Sequence, residues 1–426
     1  MTVQNDTMKS AAKSVRHFST CRLAWGNVSD TFCLTLLLIA CHLSLVTAVE
    51  ASGVEHDGPP IVQLSGTPYE LGRQHGTILR EEVRAAIAQV LGYFRRYLKI
   101  PLVRSWAVNW WLDAAWRAAR PFMTPAHLEE LRGLSDGSGV PLRELARLHA
   151  IPDRTYACAS FAAWGPATAD GRLIHLRNLD WNIEAGIQRF AVVFVVRPAG
   201  KHAFVNVGWA GFTGVLTGVN DAQLSLGQIG AETVEATFRG EPMAFVMRRL
   251  LEEADDVEEA ADLVARARRT VGVNYVLADA KAKRGIVLET TSHHLARFEA
   301  DDPAERRVPY ARPMRGAVFR ADTAMDPSIR DRQVASRGDP ARPGLEPPSG
   351  SAYETRYVGQ AAGLSAAFGE LDAARAQAIA QAIAPDSNVQ SVIFAWPDLW
   401  VANAQGDTPA ARTTYHHLDA ASLLQL

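Results

Sequence analysis

The chain has 426 residues, of which 48% are hydrophobic and 21% charged, and its formal net charge at pH 7 is -2. This composition predicts a folded protein with a substantial core, and it gives no reason to expect a nucleic acid or an anionic membrane as a partner. The sequence has no phosphate-binding glycine loop and no HExxH motif. Its two adjacent histidine pairs lie on predicted strands, where neighbours face opposite ways. We therefore predict no metal and no cofactor.

The first 51 residues have the order of an export signal. Basic residues between positions 9 and 22 precede an apolar run over residues 32–49, and the small residues Ala48 and Ala51 could form a cleavage site. We predict a protein exported to the periplasm or the cell exterior. Two alternatives stay open: the segment persists as a membrane anchor, or Cys41 is acylated as in a bacterial lipoprotein.

The stretch from residue 60 to residue 153 is predicted to be largely helical, because apolar residues recur with a period near 3.6. One or two helices are predicted over residues 70–97, and another over residues 125–133. Between them lie four tryptophans, whose spacing matches one helix face and predicts core positions rather than a substrate cradle. They are Trp106, Trp110, Trp111 and Trp116.

Cys158 is the one thiol that a mature, exported chain would keep, since the other three cysteines lie within the first 51 residues. A lone cysteine forms no intramolecular disulfide and no thiolate metal cluster. It is therefore either a small buried residue or a nucleophile.

The residues after Cys158 predict a β-hairpin, with strands over 160–164 and 173–179 and a turn at 169–171. Arg177 and Asp180 stand three apart at the end of its second strand, so both could face the thiol. An arginine beside a cysteine lowers the thiol pKa, and a carboxylate orients an amine or an arginine. A surface ion pair is the alternative interpretation of this pair.

The remaining chain is predicted to alternate between strands and helices, with a long irregular stretch over residues 299–349 that is rich in Pro, Arg and Asp. Strands are predicted over 190–197, 202–209, 214–227 with a turn at 220–221, 273–278, 285–291, 391–404 as a hairpin, and near Tyr415. Helices are predicted over 242–254, 257–268 and 361–383.

Cys158, Arg177 and Asp180, within the run from residue 156 to residue 181, resemble the opening of the cysteine N-terminal-nucleophile hydrolases. The particular resemblance is to the autoproteolytic acyltransferase and amidase family that includes isopenicillin N acyltransferase. Bile-salt hydrolases, penicillin V acylases and acid ceramidase are more distant relatives. The resemblance implies an α+β fold, a four-layer αββα sandwich, and self-cleavage between Ala157 and Cys158.

Two further residues match the family individually. Asn274, within a predicted strand, stands where these hydrolases place an amide donor of the oxyanion hole, and Arg356 resembles their second active-site arginine. Ala159 and residues 321–323 depart from the family pattern, which often has Thr after the nucleophile and Thr-Asn-His at the second place. These departures leave the substrate preference open.

The resemblance implies three regions: the leader 1–51, a helical segment 52–157 that remains bound without a covalent link after cleavage, and a catalytic segment 158–426. The last two are predicted to form one domain. The implied substrate is a small N-acyl amide, hydrolysed or transferred through an acyl group on Cys158. Three aromatic residues flank the nucleophile and are predicted to line a substrate pocket or, alternatively, the core: Phe161, Trp164 and Trp181.

Other interpretations remain. Papain-like catalysis would pair Cys158 with His175 or His149 as base and would need no chain cleavage. An acyl-CoA-dependent N-acyltransferase, or a secreted binding protein without activity, could have the same fold. The oligomeric state is not predicted.

Overall fold

The structure is a computed structural model, and it describes residues 58–97, 105–151, 157–333 and 354–425. These residues belong to one compact unit, His56–Leu426. The predicted leader, residues 1–51, lies outside the described residues. Within the described ranges, no helix is both long enough and apolar enough to cross a membrane.

Strands and helices alternate along the described chain. The strands are β1 Ile61–Gly66, β2 Ala157–Ala163, β3 Ile174–Asp180, β4 Ala191–Pro198, β5 Phe204–Trp209, β6 Thr217–Asn220, β7 Leu224–Gly230, β8 Val273–Asp279, β9 Arg284–Thr290, β10 Leu295–Phe298, β11 Ala317–Arg320, β12 Asn388–Ala395, β13 Asp398–Asn403 and β14 His416–Asp419. The helices are α1 Pro68–Ile78, α2 Arg80–Tyr97, α3 Ser105–Ala119, α4 Pro125–Ser138, α5 Leu142–His149, α6 Met243–Glu253, α7 Val257–Arg266, α8 Gly359–Ala366, α9 Ala373–Ile383 and α10 Ala420–Leu424.

Two sheets face each other at the centre of the unit. One has the strand order β1-β4-β5-β6-β7-β8-β9-β10, and the other has the order β11-β2-β3-β12-β13-β14. The sheets lie close together at Gly227 of β7, where a Cβ atom would lie 2.8 Å from both Arg177 Cγ and Ser160 Oγ of the facing sheet. Glycine at this position therefore lets the two sheets meet around a buried arginine.

Helices cover the outer faces of both sheets. α6 contacts β6 and β7, and α7 contacts β8 and β9. On the other side α9 contacts β3 and β12, and the Asn178 side-chain amide donates to the Ala380 carbonyl at 3.0 Å. The layers are thus helix, sheet, sheet and helix, which confirms the predicted αββα sandwich.

The N-terminal helices dock through glycines. A Cβ atom on Gly72 of α1 would lie 1.9 Å from the Glu130 carbonyl oxygen of α4, and one on Gly133 would lie 2.0 Å from the Tyr69 carbonyl oxygen. The two backbones can come this close only because both positions lack a side chain. β1, which precedes α1, pairs in parallel with β4 at the edge of the larger sheet.

Three strands and one helix break differ from the sequence-based predictions. β1 lies in a stretch predicted to be largely helical, and β11 lies in the stretch predicted as an irregular loop. β10 lies just before that loop, where no strand was predicted. The single helix predicted over residues 361–383 is two helices, because the chain turns at Gly369, whose φ is 80°.

The prediction that the clustered tryptophans are core residues is wrong for three of them. Trp106 is 63% exposed, Trp110 61% and Trp111 41%. The apolar face of α3 that packs inward carries Val108 and Leu112 instead. The helix itself was predicted correctly, but Trp106 and Trp110 lie on the face opposite to Val108 and Leu112, and only Trp116 packs partly against the core.

Candidate active site

Cys158 lies near the start of β2, and its side chain is completely buried. It is paired with Leu179 across β2 and β3, and Ser160 is paired with Arg177 on the same face. Because side chains alternate along a strand, this face is the one that meets the other sheet. The predicted hairpin therefore directs both the thiol and the arginine inward.

Arg177 is the cationic neighbour of the thiol. Its Nη2 atom donates to Cys158 Sγ at 3.5 Å and to the Gln228 carbonyl oxygen at 3.4 Å. Burial raises the pKa of the Cys158 thiol to about 11, although the Arg177 charge opposes this shift. Burial therefore outweighs the arginine in setting the pKa of this thiol.

Asp180 ends β3 and is also buried. Its Oδ1 accepts a hydrogen bond from Asn388 Nδ2 at 3.0 Å, and its Oδ2 lies 3.4 Å from Arg356 Nε. Burial raises the pKa of Asp180 to about 7, against the opposing Arg356 charge and the Asn388 hydrogen bond. The structure thus places Arg356 beside Asp180, and both near Cys158.

Asp322 completes this group, and sequence reasoning did not identify it as a functional residue. Its Oδ1 accepts the backbone N–H of Cys158 at 3.0 Å, and its Oδ2 accepts a hydrogen bond from Arg356 Nη1. Burial raises the Asp322 pKa, and Arg356 opposes the shift. The available signal was its position in the segment 321–323, which departs from the family pattern.

Asn274 lies on β8, and its amide group is engaged elsewhere. Its Nδ2 donates to the carbonyl oxygens of Ala321 at 2.9 Å and Thr323 at 3.3 Å. Both amide hydrogens are therefore directed at the backbone on either side of Asp322. A role in an oxyanion hole requires Asn274 to release one of these carbonyls.

Of the three aromatic residues predicted near the nucleophile, two lie away from it. Phe161 is fully buried and is paired with Leu176 on the face of β2 opposite to Cys158, so the core alternative holds for it. Trp164 lies six residues beyond Cys158, about 20 Å away at ~3.3 Å per strand residue. Its backbone N–H donates to Gly316 at 2.8 Å. Neither residue can line a pocket at the thiol.

Trp181 does line a cavity near the nucleophile. This apolar cavity, of about 30 Å³, is bordered by Leu179, the cross-strand partner of Cys158. Its lining residues are Leu148, Ile151, Leu179, Trp181, Ile187, Trp209 and Phe212. A volume of that size holds about one water molecule, so a larger group requires these side chains to move.

A groove of about 800 Å³ beside α3, lined by Trp106 and Trp110, contains none of the residues around Cys158.

The two histidines of the papain-like alternative are engaged by other groups. His175 contacts Ser160 Oγ at 3.0 Å and Ser225 Oγ at 2.8 Å. His149 Nδ1 lies 2.8 Å from the Leu145 carbonyl oxygen, and its Nε2 accepts the Thr213 N–H at 2.9 Å. These contacts use both ring nitrogens of each histidine, which disfavours either as the base for Cys158.

Two guanidinium groups and two carboxylates thus surround one thiol and one backbone nitrogen. Such a group can hold a thiolate, orient a nitrogen and balance its own charge without a metal. In the part of the chain that is described, no cluster of three or more His, Cys, Asp or Glu side chains could hold a metal ion.

Comparison with known proteins confirms the resemblance to this family. Residues 167–305 match the family described as acyl-coenzyme A:6-aminopenicillanic acid acyl-transferase. That range includes Arg177, Asp180 and Asn274, while Cys158 precedes it and Arg356 follows it.

Curated relatives are similar at low identity. Protein dcd1B of Dictyostelium discoideum is 27% identical over 271 residues, which are 59% of this chain and 54% of that protein. This chain therefore matches only about half the length of that relative. The N-acylethanolamine-hydrolyzing acid amidase of Oryctolagus cuniculus is 24% identical, over 58% of this chain and 65% of that protein. Among solved structures, a Caenorhabditis elegans N-acylethanolamine-hydrolyzing acid amidase ortholog matches with a TM-score of 0.40 and 16% identity, over 56% of this chain and 92% of that one.

Proposed function

We propose, with the family match over residues 167–305 as the premise, that this chain is an amidohydrolase that cleaves linear amides of N-acylated small molecules through an acyl group on Cys158. The observation that carries the proposal is the environment of this one thiol. Arg177 Nη2 lies 3.5 Å from Cys158 Sγ, and a carboxylate accepts the backbone N–H of the same residue. A cysteine that was only a core residue would need neither contact.

Activation is proposed to be self-cleavage. The sulfur of Cys158 attacks the carbonyl carbon of Ala157, the Ala157–Cys158 amide bond breaks, and the nitrogen takes up the thiol proton. Water then hydrolyses the thioester, which leaves a carboxylate on Ala157, a free thiol and a free α-amine on Cys158. This amine has an unperturbed pKa of about 7.7 to 8.0, so it can act as a base near neutral pH.

In turnover, the α-amine is proposed to accept the thiol proton as Sγ attacks the substrate carbonyl. Arg177 stabilises the thiolate, and Asp180 with Arg356 keeps the amine oriented. The same amine then protonates the departing nitrogen, and water resolves the acyl-enzyme. Asn274 remains our candidate oxyanion donor, and it can act by exchanging the Ala321 or Thr323 carbonyl for the substrate oxygen.

The acyl part of the substrate is proposed to be apolar. The support is the cavity beside Leu179, whose lining consists of leucine, isoleucine, tryptophan and phenylalanine side chains. Two relatives carry names that agree with this choice: one hydrolyses N-acylethanolamines, and an acid ceramidase of Rattus norvegicus is 26% identical over 38% of this chain. We therefore propose a fatty or aryl acid as the released product.

We further propose that the enzyme is exported and that hydrolysis is its main reaction. Residues 1–51 carry the basic and apolar order of a signal, and an exported enzyme would meet little acyl-CoA. A tagged chain should be recovered outside the cytoplasm, and labelling of Cys41 by palmitate would establish the lipoprotein alternative instead. Transfer of an acyl group from acyl-CoA to an amine, with release of CoA, is the second candidate, since the matched family is described by such a transfer.

The helical segment 52–157 is proposed to stay bound after cleavage. Its support is the contact between the two segments: β1 pairs with β4, and Arg248 of α6 forms a buried ion pair with Glu130 of α4 at 2.8 Å. Removal of either partner would leave a buried charge unpaired, which favours retention of the segment.

A substrate panel tests the proposal. N-acyl amino acids, N-acylethanolamines, short ceramides, penicillin V, glycocholate and acyl-CoA with an amine acceptor would each be incubated with the wild type and with Cys158→Ala. The proposal expects turnover of at least one amide without acyl-CoA, and an acyl mass on the fragment that contains Cys158. Turnover confined to acyl-CoA donors would establish the transfer reaction instead, and equal turnover by Cys158→Ala would refute both.

A further inference from the structure

We propose that Asp322 is a positioning residue that holds the nitrogen of Cys158 before and after chain cleavage and balances the charge around the thiol. This inference rests on the proposed function, because it concerns the same nucleophile. It places an ionisable group in the segment 321–323, where the family resemblance implies Thr-Asn-His and so a neutral amide.

The geometry shows direct contact with the reacting residue. Asp322 Oδ1 lies 3.0 Å from Cys158 N, although the two residues are 164 positions apart in the chain. Its second oxygen accepts a hydrogen bond from Arg356, which also pairs with Asp180. When the Ala157–Cys158 bond breaks, this nitrogen becomes an amine, and the carboxylate is already placed to accept one of its hydrogens.

The segment that carries Asp322 is fixed on both sides. Asn274 donates to the carbonyls of Ala321 and Thr323, and Gln333 Nε2 donates to the carbonyl of Asp322 itself at 3.0 Å. Gln333 Oε1 in turn accepts the Ala324 N–H at 3.0 Å. A solvated loop would not need this set of side-chain contacts, so the carboxylate is held in place.

A buried glutamate continues this support. Glu289 of β9 accepts the backbone N–H groups of Met325 at 2.7 Å and Asp326 at 2.8 Å, and it also pairs with Arg320 at 2.7 Å. Met325 and Asp326 are therefore attached to the larger sheet. This explains how a short segment after an edge strand can position one carboxylate against β2.

Asp322 adds a second carboxyl group to the charges around the thiol. The groups that face it are Arg356 from the turn before α8, Cys158 from β2, and Asp180 and Arg177 from β3. His175, also close to Arg177, is buried and its pKa is lowered to about 3, so it is neutral. Two guanidinium groups thus face two carboxyl groups, whose pKa values burial raises. Removal of Asp322 would make the site more positive, which stabilises a thiolate and destabilises an ammonium group.

The test uses three variants of one segment. Asp322→Ala removes both the acceptor and the charge, and we expect self-cleavage to slow about 100-fold, as for other displaced reacting groups. Asp322→Asn keeps an oxygen acceptor and removes the charge. We expect it to slow self-cleavage less than Asp322→Ala does, and to shift the acid limb of the kcat/KM profile to lower pH. Asp326→Asn is the matched control: its side chain caps a helical turn by accepting the Ile329 N–H at 3.0 Å, a role that asparagine also fills, and no change is expected.

A titration of the thiol distinguishes this inference from the proposed function. The ultraviolet absorbance of the thiolate would be followed against pH for the wild type and for Asp322→Asn, each with its own Cys158→Ser counterpart subtracted. The Asp322 charge raises the pKa of Cys158, so the asparagine variant should titrate at lower pH. This readout requires neither cleavage nor turnover. An inactive, uncleaved wild type would therefore refute the proposed function and still allow Asp322 to be tested.

Two results would overturn the inference. If Asp322→Ala folds and cleaves itself at the wild-type rate, Asp322 does not position the nitrogen. If the thiol of Asp322→Asn titrates as in the wild type, its carboxylate does not set the charge of the site. Thermal unfolding of each variant would show whether it folds. If Asp322→Ala does not fold, the pH profile of kcat/KM for Asp322→Asn tests the positioning role instead.

Discussion

Acidification should weaken the attachment of the helical segment through two buried histidines. His149 Nε2 accepts the Thr213 N–H at 2.9 Å, and His75 Nε2 accepts the Gly211 N–H at 2.9 Å. Burial lowers the pKa of His149 to about 4 and that of His75 to about 3. Both rings are therefore neutral in the folded chain, and protonation would remove the acceptors that connect α1 and α5 to the turn after β5.

The size of the effect follows from the two pKa values of each ring. In the unfolded chain a histidine has a pKa near 6.5, whereas in the folded chain the pKa is about 4 for His149 and about 3 for His75. The stabilisation is thus present above pH 6.5 and is lost as the pH falls. At pH 5, which is about 1.5 units below the unfolded pKa, each histidine lowers the free energy of unfolding by about 2 kcal/mol relative to its value above pH 6.5.

Urea unfolding of the wild type and of His149→Gln at pH 8 and pH 5 would measure this. Glutamine offers an oxygen acceptor to Thr213 but does not titrate, so the variant should lose about 2 kcal/mol less than the wild type between the two pH values. Between pH 8 and pH 9, where the imidazole is neutral in both states, the two proteins should change in parallel. Equal losses from pH 8 to pH 5 would refute the assignment of His149 as a neutral buried acceptor.

Substitutions at four further positions separate catalysis from folding. Arg177→Ala should slow both self-cleavage, followed by gel, and turnover, followed by amide hydrolysis. Arg177→Lys keeps the charge and should retain part of both activities. Asp180→Asn should also impair both steps. Asn274→Ala should reduce kcat about 100-fold, because it removes an oxyanion donor and frees the segment of Asp322; full activity would exclude it from the site. Phe161→Leu should lower the free energy of unfolding by about 1 kcal/mol and leave KM unchanged, and a raised KM would restore Phe161 to the substrate pocket.

The hairpin around Cys158 could be predicted because its signals are local. Turn residues at 169–171 separate two apolar runs, and the period of two then fixes which side chains share a face. The same period also shows why Phe161 was misplaced: it is an odd number of residues from Cys158 and must point to the opposite face. Proximity along the chain was not a measure of proximity in space.

The three strands that were missed are short and lie at sheet edges. β1 has six residues and is held by β4, whereas β10 and β11 have four residues each and are held by β9 and β2. Such short segments carry too little pattern to indicate a strand, and their conformation comes from the partner. The tryptophans on α3 show a related failure, since apolar residues clustered on a helix do not show which side of it faces the core.

The departure of the segment 321–323 from the family pattern was the one signal for Asp322 in the sequence, and it did not show that the residue lies against Cys158. A charged residue in a stretch rich in proline and arginine has the composition of a solvated loop. Its burial and its contact with Cys158 depend on Arg356, Asn274 and Gln333, which come from three separate parts of the chain. Only the assembled sheets bring these groups together.

The intact mass and N-terminal sequence of the purified wild-type chain, beside those of Cys158→Ala, test the central claim most directly. The account predicts two chains for the wild type, the larger beginning with Cys158 and co-purifying with the helical segment, and one uncleaved chain for the variant. A wild-type protein that hydrolyses amides as a single uncleaved chain would contradict it, because Cys158 would then have no free α-amine to serve as its base.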